Sequence, residues 1–464
     1  MSKETDPEAG NRPLAEEATP QSFEDNPIAE GSPGRQSLES YDARAAAQAE
    51  QDELPPIKLM LIPMTCIFQG YGAYVVLQHM LKTKLVPEGD KAAASAFTAA
   101  TTFMHWGKLF SRVGHDIVFS FLSTRHRVYL AMALTLLGVL VPPIFVWAMG
   151  SDWVGWVFVH FGLLGVGVGV FESTFLSNIS PLGKNTKAWA IMGAPLGLAI
   201  INIFCQILHS KKVLGLDAVW FYWYIAITMP VGMYVFHHYA PKQGVVVHQV
   251  NIWASLSSGG RWLFAVIPFL LAKIVSSVVM ENTPGWFYVY APPVDDPEVP
   301  LFSPSGTTSL MDKDLFFTIV YFFVLVGDAI SRRIVYFFPT ETRAQNVMWL
   351  MVSIACSIIG FLLQVPIIAI LVWPAAFMAF WGNGMCYGVS AKYFDKFVPK
   401  EHNRAVYSLW CMLGDLGGIV GAWGVDFVNH ILCPEHYKYV CPAPKKPVAE
   451  AAASVVQTIA SYVM

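Results

Sequence analysis

Charge is scarce in this sequence. Only 14% of its 464 residues are Asp, Glu, Lys or Arg, whereas soluble domains carry roughly 25%. A water-facing globular chain of this length is therefore excluded. Cysteine is sparse as well, with seven residues and no CxxC pair or His/Cys cluster, so neither a disulfide scaffold nor a zinc site is expected. No P-loop, HExxH or suitably placed GxSxG occurs, which removes the common phosphate-cradling, metalloprotease and serine-hydrolase machineries. The chain reads as a non-enzyme that needs no cofactor. No basic-aromatic patch marks a nucleic-acid partner. No basic start followed by a short apolar core marks a cleavable secretory leader.

What the sequence has instead is apolar length. Hydrophobic residues make up 55% of it, and mean hydropathy is +0.47. Apolar runs of roughly 20 residues recur along the chain, the length that a helix needs to cross a bilayer. They are read as spans at 58–82, 95–121, 127–149, 153–177, 186–208, 218–239, 261–281, 314–338, 345–369, 371–393 and 404–430. Backbone polar groups cannot go unpaired in lipid, so each run is expected to be helical. The fold class that follows is an all-α polytopic membrane protein with about eleven transmembrane helices, and the bilayer is its solvent.

The remaining segments divide the chain. Residues 1–57 hold thirteen acidic against four basic residues and almost no aromatics, which predicts a disordered acidic tail. Ser32 and Ser37 in that tail are candidate phosphorylation sites. The linker 240–260 separates a six-helix bundle, 58–239, from a five-helix bundle, 261–430. A tail, 431–464, follows, and its stretch 448–464 reads as an interfacial helix or loose tail. The longest break between spans is 282–313. Basic short loops at Arg125–Arg127, Lys184/Lys187, Arg332/Arg333 with Arg343, and Lys396–Arg404 place the N-terminus and the 240–260 linker in the cytosol. Lys211 and Lys212 run against this assignment. An odd number of spans then puts the C-terminus outside or in a lumen, in a plasma membrane or endomembrane. Cys433 and Cys441 would be able to pair there. The sequon at Asn178 would lie on the cytosolic side.

Charges inside spans are the most informative residues, because each costs ~2.5–3.5 kcal/mol at mid-membrane. They are Lys108, Glu172, Lys273, Asp328, Arg332, Asp415 and Asp426. Lys273 and Asp426 lie near span ends, within reach of the membrane surface. Asp328 and Arg332 are one helical turn apart and share a face. They either neutralise each other or bind complementary groups on a polar solute. Glu172, with Ser173 and Thr174, offers a polar cluster in an otherwise Gly-rich span, able to accept hydrogen bonds or exchange a proton. Gly165–Gly169 is a GxxxG pair suited to helix packing. Asp415 lies beside a glycine face (Gly414, Gly417, Gly418, Gly421, Gly424) and is a counter-charge candidate for Lys108, Arg332 or Lys392. Asn383 and Tyr387 are again one turn apart. Glu172 and Asp415 are the proton-coupling candidates.

With these residues in hand, the chain resembles the equilibrative nucleoside transporter family. That family's eighth span carries an F…DxxGR signature, and Phe323–Arg332 here reads FVLVGDAISR, with Ser331 in place of the glycine. The stretches Asn383–Gly424 and 160–208 are similar to its last two spans and to its fourth and fifth. The first span reads IFQGYGAYVVLQ where the family has Pro-Trp-Asn. The resemblance implies a 6+5 arrangement of the major-facilitator type and alternating access around a midplane site. It also implies a nucleoside or nucleobase as the small-molecule substrate, taken up passively or with a proton. The candidate substrate-binding residues are Asp328, Arg332, Glu172, Asn383 and Gln69. A carrier of another small polar metabolite, or a non-transporting scaffold or receptor, are the alternatives.

Overall fold

Each apolar run folds as one long helix, because an unbroken hydrophobic segment satisfies its own backbone only in that form. The computed structural model describes residues 55–87, 90–210, 213–241, 252–257, 261–287, 298–302, 309–366 and 368–432. All of these belong to one compact unit, Gln48–Met464. The helices are α1 (Leu61–Leu85), α2 (Lys91–Val118), α3 (Thr124–Val141), α4 (Gly155–Asn178), α5 (Gly183–Ala190), α6 (Gly193–His209) and α7 (Ala218–Tyr239), followed by α8 (Ile252–Ser257), α9 (Arg261–Phe287), α10 (Lys313–Ile334), α11 (Arg343–Leu362), α12 (Val372–Phe397) and α13 (Asn403–Leu432). Among the described residues, α5 and α8 are short and every other helix corresponds to an expected span. Nine helical stretches among the described residues have the length and hydropathy to cross a membrane. The fold is that of a polytopic helical membrane protein.

Local signals set several helix boundaries. Asp90, Ser123 and Asp312 cap α2, α3 and α10 with side-chain oxygens. Thr342 and Gln345 form a reciprocal capping box at α11, which satisfies otherwise orphaned N–H groups at the membrane edge. Pro142 and Pro143 interrupt α3, and the chain continues as a π-helical turn, Pro142–Ala148, because proline removes a helix donor. The long break expected at 282–313 is shortened from both ends. Helix α9 runs on to Phe287, and Glu298–Pro300 pairs antiparallel with Leu310–Asp312.

Within the first six long helices, α1 packs on α6 and α7, and α4 packs on α2 and α3. Within the last five, α9 packs on α13 and α12, while α12 packs on α10 and α11. The two groups touch mainly where α6 meets α10 and where α2 and α4 meet α13. Large apolar side chains such as Phe110, Ile227, Phe264 and Leu271 point outward, as a protein solvated by lipid requires. The short connections make the long helices run alternately up and down. One face therefore carries the start of α1 and the ends of α2, α4, α10 and α12; it is called face A here, and the opposite one face B.

The tail serines Ser32 and Ser37, the pair Cys433 and Cys441, and Lys211/Lys212 lie outside the described residues, as does almost all of 431–464. Of the linker 240–260, the described part includes α8.

Candidate functional site

Close backbone approach between α10 and α12 builds the first part of the site. A Cβ placed on Gly327 would lie 2.6 Å from the Phe377 carbonyl oxygen, and one on Gly384 would lie 2.5 Å from that of Asp328. No side chain larger than hydrogen fits at either position. The contact sets Asn383 against Asp328, with Asn383 Nδ2 donating to Asp328 Oδ1 at 3.4 Å. Arg332 closes a bidentate pair on Asp328, at 2.9 and 2.8 Å, and its third nitrogen donates to the Ile191 carbonyl at 3.2 Å. The expected face-sharing pair is thus formed and self-neutralised, while Asp328 still contributes to a cavity wall.

A second charged group lies where α2, α4 and α13 meet. Asp415 accepts from Lys108 at 2.8 Å and from Arg112 Nε at 2.8 Å. Arg112 also donates to Glu172 at 2.7 Å. Glu172 is therefore not a lone carboxylate among Gly, Val and Phe. Asp415, offered three possible counter-charges by the sequence, takes Lys108 and adds Arg112. GxxxG packing explains part of this geometry. A Cβ on Gly169 would meet the Lys108 carbonyl at 2.7 Å, so α4 rides directly on the turn of α2 that carries the cations.

Tyr387 joins the two groups. Its hydroxyl donates to Glu172 Oε1 at 2.7 Å, and its ring lies 4.1 Å from the Arg332 guanidinium. Lys273 does not reach for the membrane surface as expected. It turns inward, donating to Asn383 Oδ1 at 3.2 Å and lying 5.0 Å from the Trp410 ring, where the ring face attracts the cation. Gln69 lies apart from this chain of contacts. It bridges α1 to α7 through Thr228, which donates to it at 2.7 Å, and Tyr224 at 3.3 Å. The side chain of Asp426 is outside the described ones.

A cavity of about 1020 Å³ reaches this region at Asp328. Its wall includes Tyr71, Glu281 and Asp328, together with Tyr74, Phe317 and Tyr321. Thr83 and Lys84 at the end of α1, and Lys313 and Asp314 at the start of α10, also line it. Those are face B ends, so the cavity reaches face B.

Further ion pairs lie at face A. Lys187 of α5 donates to both oxygens of Asp395 on α12, at 2.7 and 2.9 Å. Asp116 of α2 pairs with Arg127 and with Arg404 of α13, the latter at 3.0 Å, and accepts from the Ile252 backbone N–H at 2.6 Å. The Lys187 and Arg404 bonds bridge the first six long helices to the last five on the side away from the cavity.

Arg112, Asp116, Glu281 and Asp395 were not singled out from the sequence, and Lys187 and Arg404 were read only as charges of basic loops. A signal was present for Arg112 and Asp116. Both fall inside the expected second span, and Arg112 is one turn from Lys108, two cations on one face of a span that has to find counter-charges elsewhere.

No family model matches the chain, and no curated protein does. Solved structures do match in fold. A POT family transporter in complex with 5-aminolevulinic acid superposes with a TM-score of 0.53 at 14% identity, covering 88% of this chain and 95% of that one. The E. coli fucose:proton symporter FucP, as a point variant, superposes with a TM-score of 0.54 at 16% identity, covering 86% and 97%. The likeness spans nearly the whole described chain, so the helix arrangement is the one seen in these two transporters.

Proposed function

We propose that this chain is a membrane carrier that moves nucleosides or nucleobases by alternating access, passively or with a proton. The observation that carries the reading is the cavity itself. It opens toward face B, inter-group ion pairs bridge face A, and Asp328 and aromatic rings line it. Polar groups beside aromatic rings suit a ribose and a base. The FVLVGDAISR stretch lends the nucleoside assignment its support. In this reading residues 58–239 and 261–430 rock as two bundles about the site, the 240–260 linker is cytosolic, and breaking Lys187–Asp395 and Asp116–Arg404 opens face A.

Face A carries Arg125–Arg127, Lys184, Lys187, Arg333, Arg343 and Lys396–Arg404, so the positive-inside rule favours it as cytosolic. The cavity then opens to the outside or to a lumen, in a plasma membrane or endomembrane, and the C-terminus lies on that side. The alternative of a different small polar cargo has its own support in the neighbours, whose names mention 5-aminolevulinic acid and a fucose:proton symporter. Uptake of labelled adenosine into vesicles bearing the purified protein is the test. Saturable uptake, competed by guanosine and cytidine, is expected. Uptake no faster than in empty vesicles for all three, with another polar solute transported, would replace the nucleoside assignment. No solute movement of any kind would leave a scaffold or receptor.

A further inference from the structure

Among the described residues, most membrane-embedded charges fall into closed sets. Lys108 and Arg112 are matched by Asp415 and Glu172, and Arg332 is matched by Asp328. Glu281 of α9 is different. It lines the cavity, and among the described residues its carboxylate makes no hydrogen bond and no contact ion pair. Charged groups that act on it are Lys108 of α2, Asp415 of α13 and Lys273 of its own helix. Lys108 is already bonded to Asp415. Lys273 is two turns away along α9, about 12 Å by the helical rise, with its amino group on Asn383. Tyr71 of α1 shares the same cavity wall and feels the same charge. On the α13 side, Gly418 faces Glu281, and even an added Cβ would lie 3.4 Å from its Cγ.

A carboxylate in a membrane cavity is costly without a donor, and no described cation is in contact with this one. We infer that Glu281 is the docking group for a nitrogen of the cargo: an amine, or the amino edge of a base, that donates N–H to the carboxylate against the Tyr71 and Tyr74 rings. The inference rests on the cavity being a cargo site, as proposed above, and narrows the cargo to nitrogen-donor solutes. An amino-bearing nucleoside meets this requirement. Uridine, whose single ring N–H sits between two carbonyls, meets it poorly, because the carboxylate faces their oxygens.

Binding to the purified full chain in detergent decides it, read as the shift in melting temperature with guanosine, cytidine, tyramine or uridine. Guanosine, cytidine or tyramine should stabilise the protein at concentrations where uridine does not. In Glu281→Gln the apparent Kd for the amino-bearing probes should rise about ten- to hundredfold, the range of a charge-assisted hydrogen bond. Glu281→Asp should recover part of the loss. Uridine binding as tightly as the amino probes overturns the inference. So do unchanged binding in Glu281→Gln and the failure of all four probes to bind. Should Glu281→Gln melt too early to titrate, the wild-type preference for amino probes over uridine stands as the criterion. Normal probe binding in Glu281→Gln, with only the response of uptake to a pH gradient lost, would assign Glu281 to a proton and equally overturn it. Stabilisation by tyramine alone would keep this inference while refuting the nucleoside cargo. Vesicle uptake tests the carrier reading separately.

Discussion

The hydroxyl of Tyr387 on α12 donates to the carboxylate of Glu172 on α4 at 2.7 Å, across 215 residues of sequence. Through this bond the Lys108–Asp415–Arg112–Glu172 set meets the Asp328–Arg332 pair. Tyr387→Phe keeps the ring over Arg332 and removes only the donor. The expected result is a stability loss of about 1–3 kcal/mol, the cost of leaving a charged group one hydrogen bond short. Uptake should fall as well, since the two helix groups lose a shared contact. Thermal melting and vesicle uptake on the same preparation measure both. Wild-type values for each would show that the bond is incidental.

Within the charged set, Asp415 serves two cations, whereas Lys108 serves one carboxylate and leaves Arg112 in place. Asp415→Asn should therefore destabilise more than Lys108→Gln. Removing one partner of a buried pair typically costs about 3–5 kcal/mol, and Asp415→Asn is expected at the top of that range. Comparing detergent-solubilised melting midpoints ranks the two. The reverse order would mean that Arg112 rests on Glu172 alone.

For the pair on α10, Asp328→Ala strands the Arg332 guanidinium under the Tyr387 ring with only the Ile191 carbonyl to donate to. Transport is expected to be lost and expression reduced. The double variant Asp328→Asn with Arg332→Gln removes both charges and should recover stability but not uptake. Normal uptake by each single alanine variant would take the pair out of the site.

The glycine face of α13 packs on α9, and its members are not equivalent. A Cβ on Gly417 would lie 2.6 Å from the Ile274 carbonyl oxygen, and one on Gly421 would lie 2.7 Å from that of Val278. Gly418 instead looks toward Glu281. Gly417→Ala should cost about 1–3 kcal/mol through overpacking against a backbone that cannot give way. Gly418→Ala should leave stability near wild type, and Gly418→Leu should hinder binding by filling space beside Glu281. Melting midpoints, with probe binding for the Gly418 variants, separate the two behaviours.

Lys187–Asp395 and Asp116–Arg404 bridge the two helix groups at face A. Lys187→Ala should raise the reactivity of a cysteine placed on face A toward a membrane-impermeant thiol reagent in a background cleared of native cysteines. The exchange Lys187→Asp with Asp395→Lys should restore protection, because a salt bridge tolerates reversal better than deletion. Equal reactivity in all three would place the closure elsewhere.

The helices and their order were legible in the sequence. Hydropathy over about twenty residues is a local property, and lipid leaves a long apolar segment no other form. The capping signals at Asp90, Ser123, Asp312 and Thr342 are likewise local. The one-turn spacing of Asp328 and Arg332 made their pairing predictable, since it depends only on helical pitch. The partners of Glu172 and Asp415 were not predictable. Arg112 lies 60 residues from Glu172 and 303 from Asp415, and no local pattern states that α2, α4 and α13 converge. The inward turn of Lys273, the placement of Gln69 between α1 and α7, and the isolation of Glu281 on a cavity wall are of the same kind. Each depends on which helix face meets which neighbour, and only the packed bundle fixes that, because in lipid close fit and polar pairing between helices replace hydrophobic burial as the force that selects contacts.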